Sequence, residues 1–132
     1  MAKTIRQTCT LPASPREVYD ALMDSRKHRA FSGEPASISK RVGGTFTAYG
    51  DYISGKNLDL VANRKIVQSW HASDWPEGHF SRVTYSLKPV KGGTRLRFIQ
   101  SGVPDNQYRS LKKGWIDFYW KPLAAWLKKG KE

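Results

Sequence analysis

Cysteine and acidic residues are both scarce. The chain has one thiol, Cys9, and only 11 aspartates and glutamates among 132 residues. A single cysteine excludes an intramolecular disulfide and removes the thiolate sets that structural zinc and iron–sulfur centres use, so a reducing, cytoplasmic setting is expected. No window approaches the roughly 20 consecutive apolar residues of a membrane-spanning helix. The N-terminal stretch lacks the apolar run of a signal peptide, and neither export nor insertion is expected. Internal repeats, low-complexity tracts and linkers are also missing, so residues 1–132 are expected to form one domain. The few carboxylates fall mostly in turns, and no serine has the glycine-flanked elbow of a strained nucleophile. Cys9 sits mid-strand, where a small buried hydrophobe is the ordinary role. No catalytic residue is therefore assigned, and the chain is expected not to be an enzyme.

Positive charge is abundant. Lysine and arginine total 23, giving a formal net charge of +12. Such a balance favours encounter with polyanions or acidic protein surfaces without saying which. The cations are dispersed, with groups at Arg26, Lys27 and Arg29, at Lys40 and Arg41, at Lys112 and Lys113, and at Lys128, Lys129 and Lys131. Each group reads either as a solvated face or as a partner-binding surface. Nucleic-acid binding has the charge in its favour and the aromatics against it. Apart from Trp75, Tyr108 and Trp120, the aromatic residues fall on predicted core faces, and no recognised RNA- or DNA-binding signature is present. His71, Asp74, Glu77 and His79 gather around one loop, but their spacing matches no metal signature, and no metal or cofactor is expected.

Patterning divides the chain into an α+β succession. Ile5, Gln7, Cys9 and Leu11 alternate with polar residues, which predicts a strand. Ser14, Pro15 and Glu17 then supply an N-cap, a first-turn proline and a capping box, followed by Val18, Tyr19, Leu22 and Met23 at helical spacing. A second short helix is predicted from Ser25 to Phe31. Six extended segments follow, at Ala36–Arg41, Thr45–Tyr49, Tyr52–Ala62, Arg64–Ala72, Phe80–Pro89 and Thr94–Ser101, separated by turn residues such as Gly43-Gly44 and Gly92-Gly93. Asp105 is placed to cap a terminal helix over Asn106–Lys128, where Leu111, Trp115, Phe118, Tyr119, Leu123 and Trp126 form an aromatic stripe. Pro122 lies within it and predicts a bend between Trp120 and Trp126. The sheet has to curl around this last helix to cover the stripe.

Several segments in this order carry a family resemblance: Pro12 to Tyr19, Phe31-Ser32-Gly33, Gly43-Gly44-Thr45-Phe46, Ile53 to Leu58, Ile66 to Trp70, Ser101 to Pro104, and Gly114-Trp115 through Leu123. The chain resembles the stand-alone homologues of the activator of heat-shock protein 90 ATPase, within the START-like (SRPBCC) helix-grip superfamily. The resemblance implies a curved antiparallel sheet of about seven strands around a long C-terminal helix, with two short helices after the first strand. It also implies either a chaperone partner or a ligand held under the long helix, as in other members of that superfamily.

The strand alternation turns Gln68 and Trp70, Tyr85, and Phe98 and Gln100 to the inner face, with Phe46 beside them. Trp115, Phe118 or Tyr119, and Leu123 face them from the helix. This set is the candidate ligand cavity, in which Gln68 and Gln100 either orient a ligand or bond to each other or to water. Alternatively the aromatics fill the space completely, for which Trp70, Trp75, Trp115 and Tyr119 are large enough. The first functional reading is a non-catalytic carrier or sensor of a hydrophobic small molecule or lipid. The alternative is a co-chaperone-like module that binds an acidic protein through Arg26, Lys27, Arg29, Lys112, Lys113, Lys128 and Lys129. A cyclase or hydrolase and a nucleic-acid binder are further alternatives. A monomer or weak homodimer is expected.

Overall fold

The computed structural model describes residues 2–130, so Lys131 lies outside the described residues. Strand β1 (Ala2–Leu11) buries Ile5 and Leu11, half-buries Gln7 and Cys9, and exposes Arg6, Thr8 and Thr10. Helix α1 (Pro15–Met23) starts as its sequence predicts. The Ser14 hydroxyl accepts from the Glu17 N–H, and the Glu17 carboxylate accepts from the Ser14 N–H, each at 3.2 Å. Asp24 caps α2 (Ser25–Ser32) by accepting from the Lys27 N–H at 3.1 Å. That bond, with nearby Lys40, holds its carboxyl below the usual carboxylate range. Gly33, at φ 77°, ends α2 in the left-handed conformation that glycine adopts without steric penalty.

Six more strands follow: β2 (Ser37–Ile38), β3 (Thr45–Ala48), β4 (Ile53–Val61), β5 (Lys65–Ala72), β6 (Ser81–Val90) and β7 (Gly93–Pro104). With β1 they form one curved antiparallel sheet in the order β1-β7-β6-β5-β4-β3-β2. Strand β2 is shorter than the predicted Ala36–Arg41 segment. Beyond Ile38 the backbone instead wraps the buried Asn57 side chain, whose amide donates to Ser39 O at 2.7 Å and Arg41 O at 2.9 Å. A bulge between Asn57 and Asp59 shifts the register of β4 and leaves Leu58 exposed. At Gly55 a Cβ would lie 1.8 Å from Ser69 O, so β4 and β5 can meet here only without a side chain.

The terminal helix is not the single α-helix predicted. Asp105 opens a 3₁₀ turn (Asp105–Gln107), followed by α3 (Tyr108–Trp115), a π-helical segment (Ile116–Trp120) and α4 (Lys121–Lys129). Pro122 falls in the first turn of α4, where its missing N–H is tolerated, and the irregularity lies upstream of it. The two are linked through hydrogen bonding. The carbonyl four residues before Pro122, Phe118 O, has no proline N–H to accept from and accepts the Tyr49 hydroxyl instead. The π segment also changes the helical phase. Tyr119 and Trp120 turn inward to 5% and 6% exposure, while Phe118, predicted to share the inner stripe, is 61% exposed. Trp75, likewise expected off the core, is buried against Trp70 at 5.2 Å between ring centroids. It lies in a turn, where strand alternation gives no orientation. Among the described residues no helix is long and apolar enough to cross a membrane.

Candidate functional site

The space under the long helix is occupied by rings. Trp115 lies 4.3 Å from Phe98, 4.5 Å from Tyr119, 5.6 Å from the stacked Trp120 and 5.7 Å from Trp70, centroid to centroid. Phe98 and Leu123 are fully buried in this cluster. The polar groups among them are satisfied within the protein. The Trp115 indole N–H donates to Gln100 Oε1 at 2.7 Å, Gln100 Nε2 donates to Ser81 Oγ at 2.9 Å, and Ser81 Oγ donates to the Trp70 carbonyl at 3.1 Å. Gln68 Nε2 donates to Asn57 Oδ1 at 3.1 Å and faces the Met23 sulfur at 3.9 Å. The two glutamines thus bond neither to each other nor toward an open cavity: Gln100 ties β6 and β7 to the long helix, and Gln68 ties β5 to β4. Gln7 clamps the helix from β1, accepting from Trp120 Nε1 at 2.6 Å and donating to Lys112 O at 2.8 Å.

The predicted cavity residues therefore separate into three groups. Phe46, Gln68 and Tyr85 border a void of about 10 Å³ together with His28 and Tyr119, a space that admits at most about one water. Phe98, Gln100 and Leu123 are packed. Trp70, Trp115, Phe118 and Tyr119 line an open cleft of about 460 Å³ between α3, the β3–β4 turn and the end of α2. Sequence reasoning missed the cleft's other wall, formed by Tyr49, Tyr52, Ile53 and Glu34. Tyr49 carries one detectable signal, since it adjoins the turn glycine Gly50; in the structure it has φ 52°, rare for a bulky side chain. Burial pushes the Tyr49 hydroxyl's pKa up, with the Glu34 charge adding to this, so the hydroxyl stays protonated and donates to the helix.

Gly114 lines this cleft from α3, and a Cβ there would meet only Phe118 Cδ2, at 3.8 Å. Gly114→Ala is therefore expected to stabilise the fold by up to about 1 kcal/mol through helix propensity, read as a higher urea midpoint with an unchanged slope.

His28, on α2, is 3% exposed and its Nε2 lies 3.1 Å from the Tyr119 hydroxyl, while its Nδ1 has no partner among the described residues. Burial lowers its pKa to about 4, and burial raises that of Tyr119 well above its ordinary value, so both are neutral at neutral pH. His71 and His79 are used differently. Each has a ring nitrogen 2.8 Å from a backbone carbonyl, of His79 and Gly102 respectively, which identifies those nitrogens as N–H donors. Cys9 is half-buried, and desolvation pushes its thiol up to about 11.

The basic residues do not form one patch. Arg26, Lys27 and Arg29 are exposed on α2, and Lys128 and Lys129 at the end of α4. Lys27 and Lys129 share a depression with Arg16, Glu17 and Asp20, and Lys27 pairs with Asp20 at 3.9 Å. Lys112 and Lys113 lie on α3 toward β1, where Lys112 and Lys3 both stand over the Tyr108 ring.

A curved seven-stranded antiparallel sheet closed on a long C-terminal helix, with two short helices after the first strand, defines a helix-grip protein. Residues 12–128 match the family described as activator of Hsp90 ATPase homolog 1-like protein, and the chain belongs to that family. It is 31% identical over 114 residues to the human activator of 90 kDa heat shock protein ATPase homolog 1, covering 86% of this chain and 34% of that protein. The chain thus spans about a third of the length of the curated relatives it matches. Among solved structures it resembles an HSP90 activator from Plasmodium falciparum, with a TM-score of 0.78, 26% identity and 90% of each chain covered. The fold is also that of an Aha1 dimer from Colwellia psychrerythraea, with a TM-score of 0.81, 21% identity, and 98% and 99% covered.

Proposed function

We propose that the protein is a non-catalytic module that binds a heat-shock protein 90-type ATPase and stimulates it. The observation that carries this reading is the filled interior. The void between the helix and the inner face of the sheet is only about 10 Å³, too small for a ligand, and this supports recognition through the outer surface. The naming of human and Plasmodium relatives as activators supports the choice of partner. The exposed cations on α2, α3 and α4 suit an acidic protein surface, where charge complementarity accelerates encounter and fixes orientation. The test is the steady-state ATPase rate of a purified 90 kDa chaperone with added protein. The rate is expected to rise, and Lys112→Glu with Lys113→Glu is expected to raise the concentration needed for half-stimulation about tenfold at low salt. A flat response to the wild-type chain would refute the reading.

The cleft favours a second reading, a hydrophobic small-molecule site. Its volume of about 460 Å³ lies within the range of small-ligand pockets, and Trp70 and Trp115 would report occupancy by fluorescence. Saturable quenching by an aromatic or fatty-acid ligand, abolished by Gly114→Leu, would support this site. Absence of quenching across both classes would remove it.

A further inference from the structure

The outer face of the sheet, opposite the long helix, has a charge arrangement that neither reading above uses. On β1, β5, β6 and β7 there is not one aspartate or glutamate. The antiparallel register brings their outward cations together. Lys88 is paired directly across from Arg95, Arg97 follows two residues along β7, Arg6 comes next opposite Ile99, and Arg82 lies further along the face opposite Ser101. All five are exposed. Among the described residues none of the five makes an ion pair; Lys65, further out on the same face, is matched by Asp59 at 3.2 Å. Like charges placed directly opposite on a sheet repel and weaken the pairing. Here that repulsion has no relief within the fold. Hydroxyls fill the gaps between the cations: Thr8 pairs with Arg97, which pairs in turn with Ser86, and Thr10 pairs with Arg95.

We propose that this face, centred on Lys88, Arg95 and Arg97, docks an acidic segment of a protein partner, its carboxylates held by the guanidinium forks and the intervening hydroxyls. The chemistry of the face selects this occupant. Opposed Cβ atoms on a sheet stand about 5 Å apart and alternate ones along a strand about 7 Å, which spaces the stems of Lys88, Arg95 and Arg97, and each arginine can bind one carboxylate bidentately. A single-stranded nucleic acid needs aromatic platforms, yet the aromatics of these strands, Trp70, Tyr85 and Phe98, all point to the core. A bilayer surface needs apolar side chains to insert. Around Lys88, Arg95 and Arg97 this face exposes none among the described residues, and Ile99 is half-buried. The exposed Phe80 precedes β6 at the Arg82 end of the face, where it packs on His71 at 5.2 Å between ring centroids. The proposal deepens the protein-binding reading, on which it rests for the existence of a protein partner, and assigns that partner a second, differently placed contact.

The experiment compares two charge-matched variants of the full chain, Arg95→Glu/Arg97→Glu and Arg41→Glu/Lys56→Glu, for binding of a fluorescein-labelled poly-glutamate peptide by anisotropy. The sheet-face variant is expected to bind at least about tenfold more weakly than wild type and the other within about threefold, because only the first removes directional contacts. Its melting temperature is expected to be no lower than wild type, since reversing Arg95 turns a repulsive pair with Lys88 into an attractive one. Should the reversal prevent folding, Arg95→Ala/Arg97→Ala carries the same comparison against Arg41→Ala/Lys56→Ala. Equal weakening by the two charge-matched variants would overturn the proposal. So would tighter binding, dependent on Arg95 and Arg97, of oligo-dT or of phosphatidylserine vesicles than of the peptide. The ATPase assay separates the two readings. Peptide binding localised to the sheet without ATPase stimulation would sink the proposed function alone, and stimulation with no difference between the variants would sink this contact alone.

Discussion

Trp115→Ala is expected to cost about 4 kcal/mol of folding free energy, a large part of the roughly 5–15 kcal/mol that holds a domain folded. Two physical losses combine. The indole is 3% exposed and is in ring contact with Phe98, Tyr119, Trp120 and Trp70, so its removal leaves a void between sheet and helix that these rings can only partly close. Its N–H is also the donor to Gln100 Oε1, and losing it leaves a buried acceptor unsatisfied. Trp115→Phe separates the two losses, because it keeps most of the ring packing and removes the donor, and it should cost about 1–3 kcal/mol. Urea unfolding followed by far-ultraviolet circular dichroism checks both. A cost below about 1 kcal/mol for the alanine variant would show that the helix is not anchored through this ring.

Acid should destabilise the protein through His28. Its folded pKa of about 4 lies below the ordinary 6.5 because burial disfavours the imidazolium. The unfolded chain therefore takes up a proton first as the pH falls. The stabilisation from keeping His28 neutral is fully present above about pH 6.5 and is lost between there and pH 4. That window corresponds to roughly 3 kcal/mol. His28→Phe keeps an aromatic ring next to Phe31, whose centroid lies 4.8 Å from that of His28, and removes the titration. The variant should show a shallower fall in unfolding free energy across this window, by about one bound proton. An unchanged pH slope would place the acid sensitivity elsewhere. The structural consequence is local, since protonated His28 could no longer accept a hydrogen bond from Tyr119, which helps form the floor of the cleft.

Much of the fold was legible because its signals are local. The capping box at Ser14 and Glu17, the strand alternation through Ile66, Gln68 and Trp70, and the inward Tyr85 and Phe98 follow from backbone geometry and residue type, and the structure agrees with each. The candidate site was less legible. Phe118 was expected inside and is outside, whereas Trp120 was expected outside and is inside; Trp75, left off the core faces by the strand pattern but large enough to fill the interior, is inside. Helical periodicity assumes 3.6 residues per turn, and the π segment at Ile116–Trp120 breaks that assumption. Its neighbours in the chain give little sign of it beyond Pro122, since the hydrogen bond that accommodates it comes from Tyr49, 69 residues away.

The sequence by itself determined the order of elements, the exclusion of a disulfide within these 132 residues, the excess of positive charge and the inner face of each long strand, because all of these depend on residue identity and on periods of two or 3.6. Only the tertiary structure decided where the space is. It left a void of about 10 Å³ beside Gln68, committed Gln68 and Gln100 to partners on neighbouring strands, and placed the larger space in a cleft where Trp70, Trp115, Phe118 and Tyr119 meet Tyr49 and Gly114. The register between β6 and β7 likewise decided that Lys88 and Arg95, unremarkable in a lysine-rich chain, stand face to face. Volumes and cross-strand neighbours depend on contacts between distant segments, and a pattern read along one segment does not contain them.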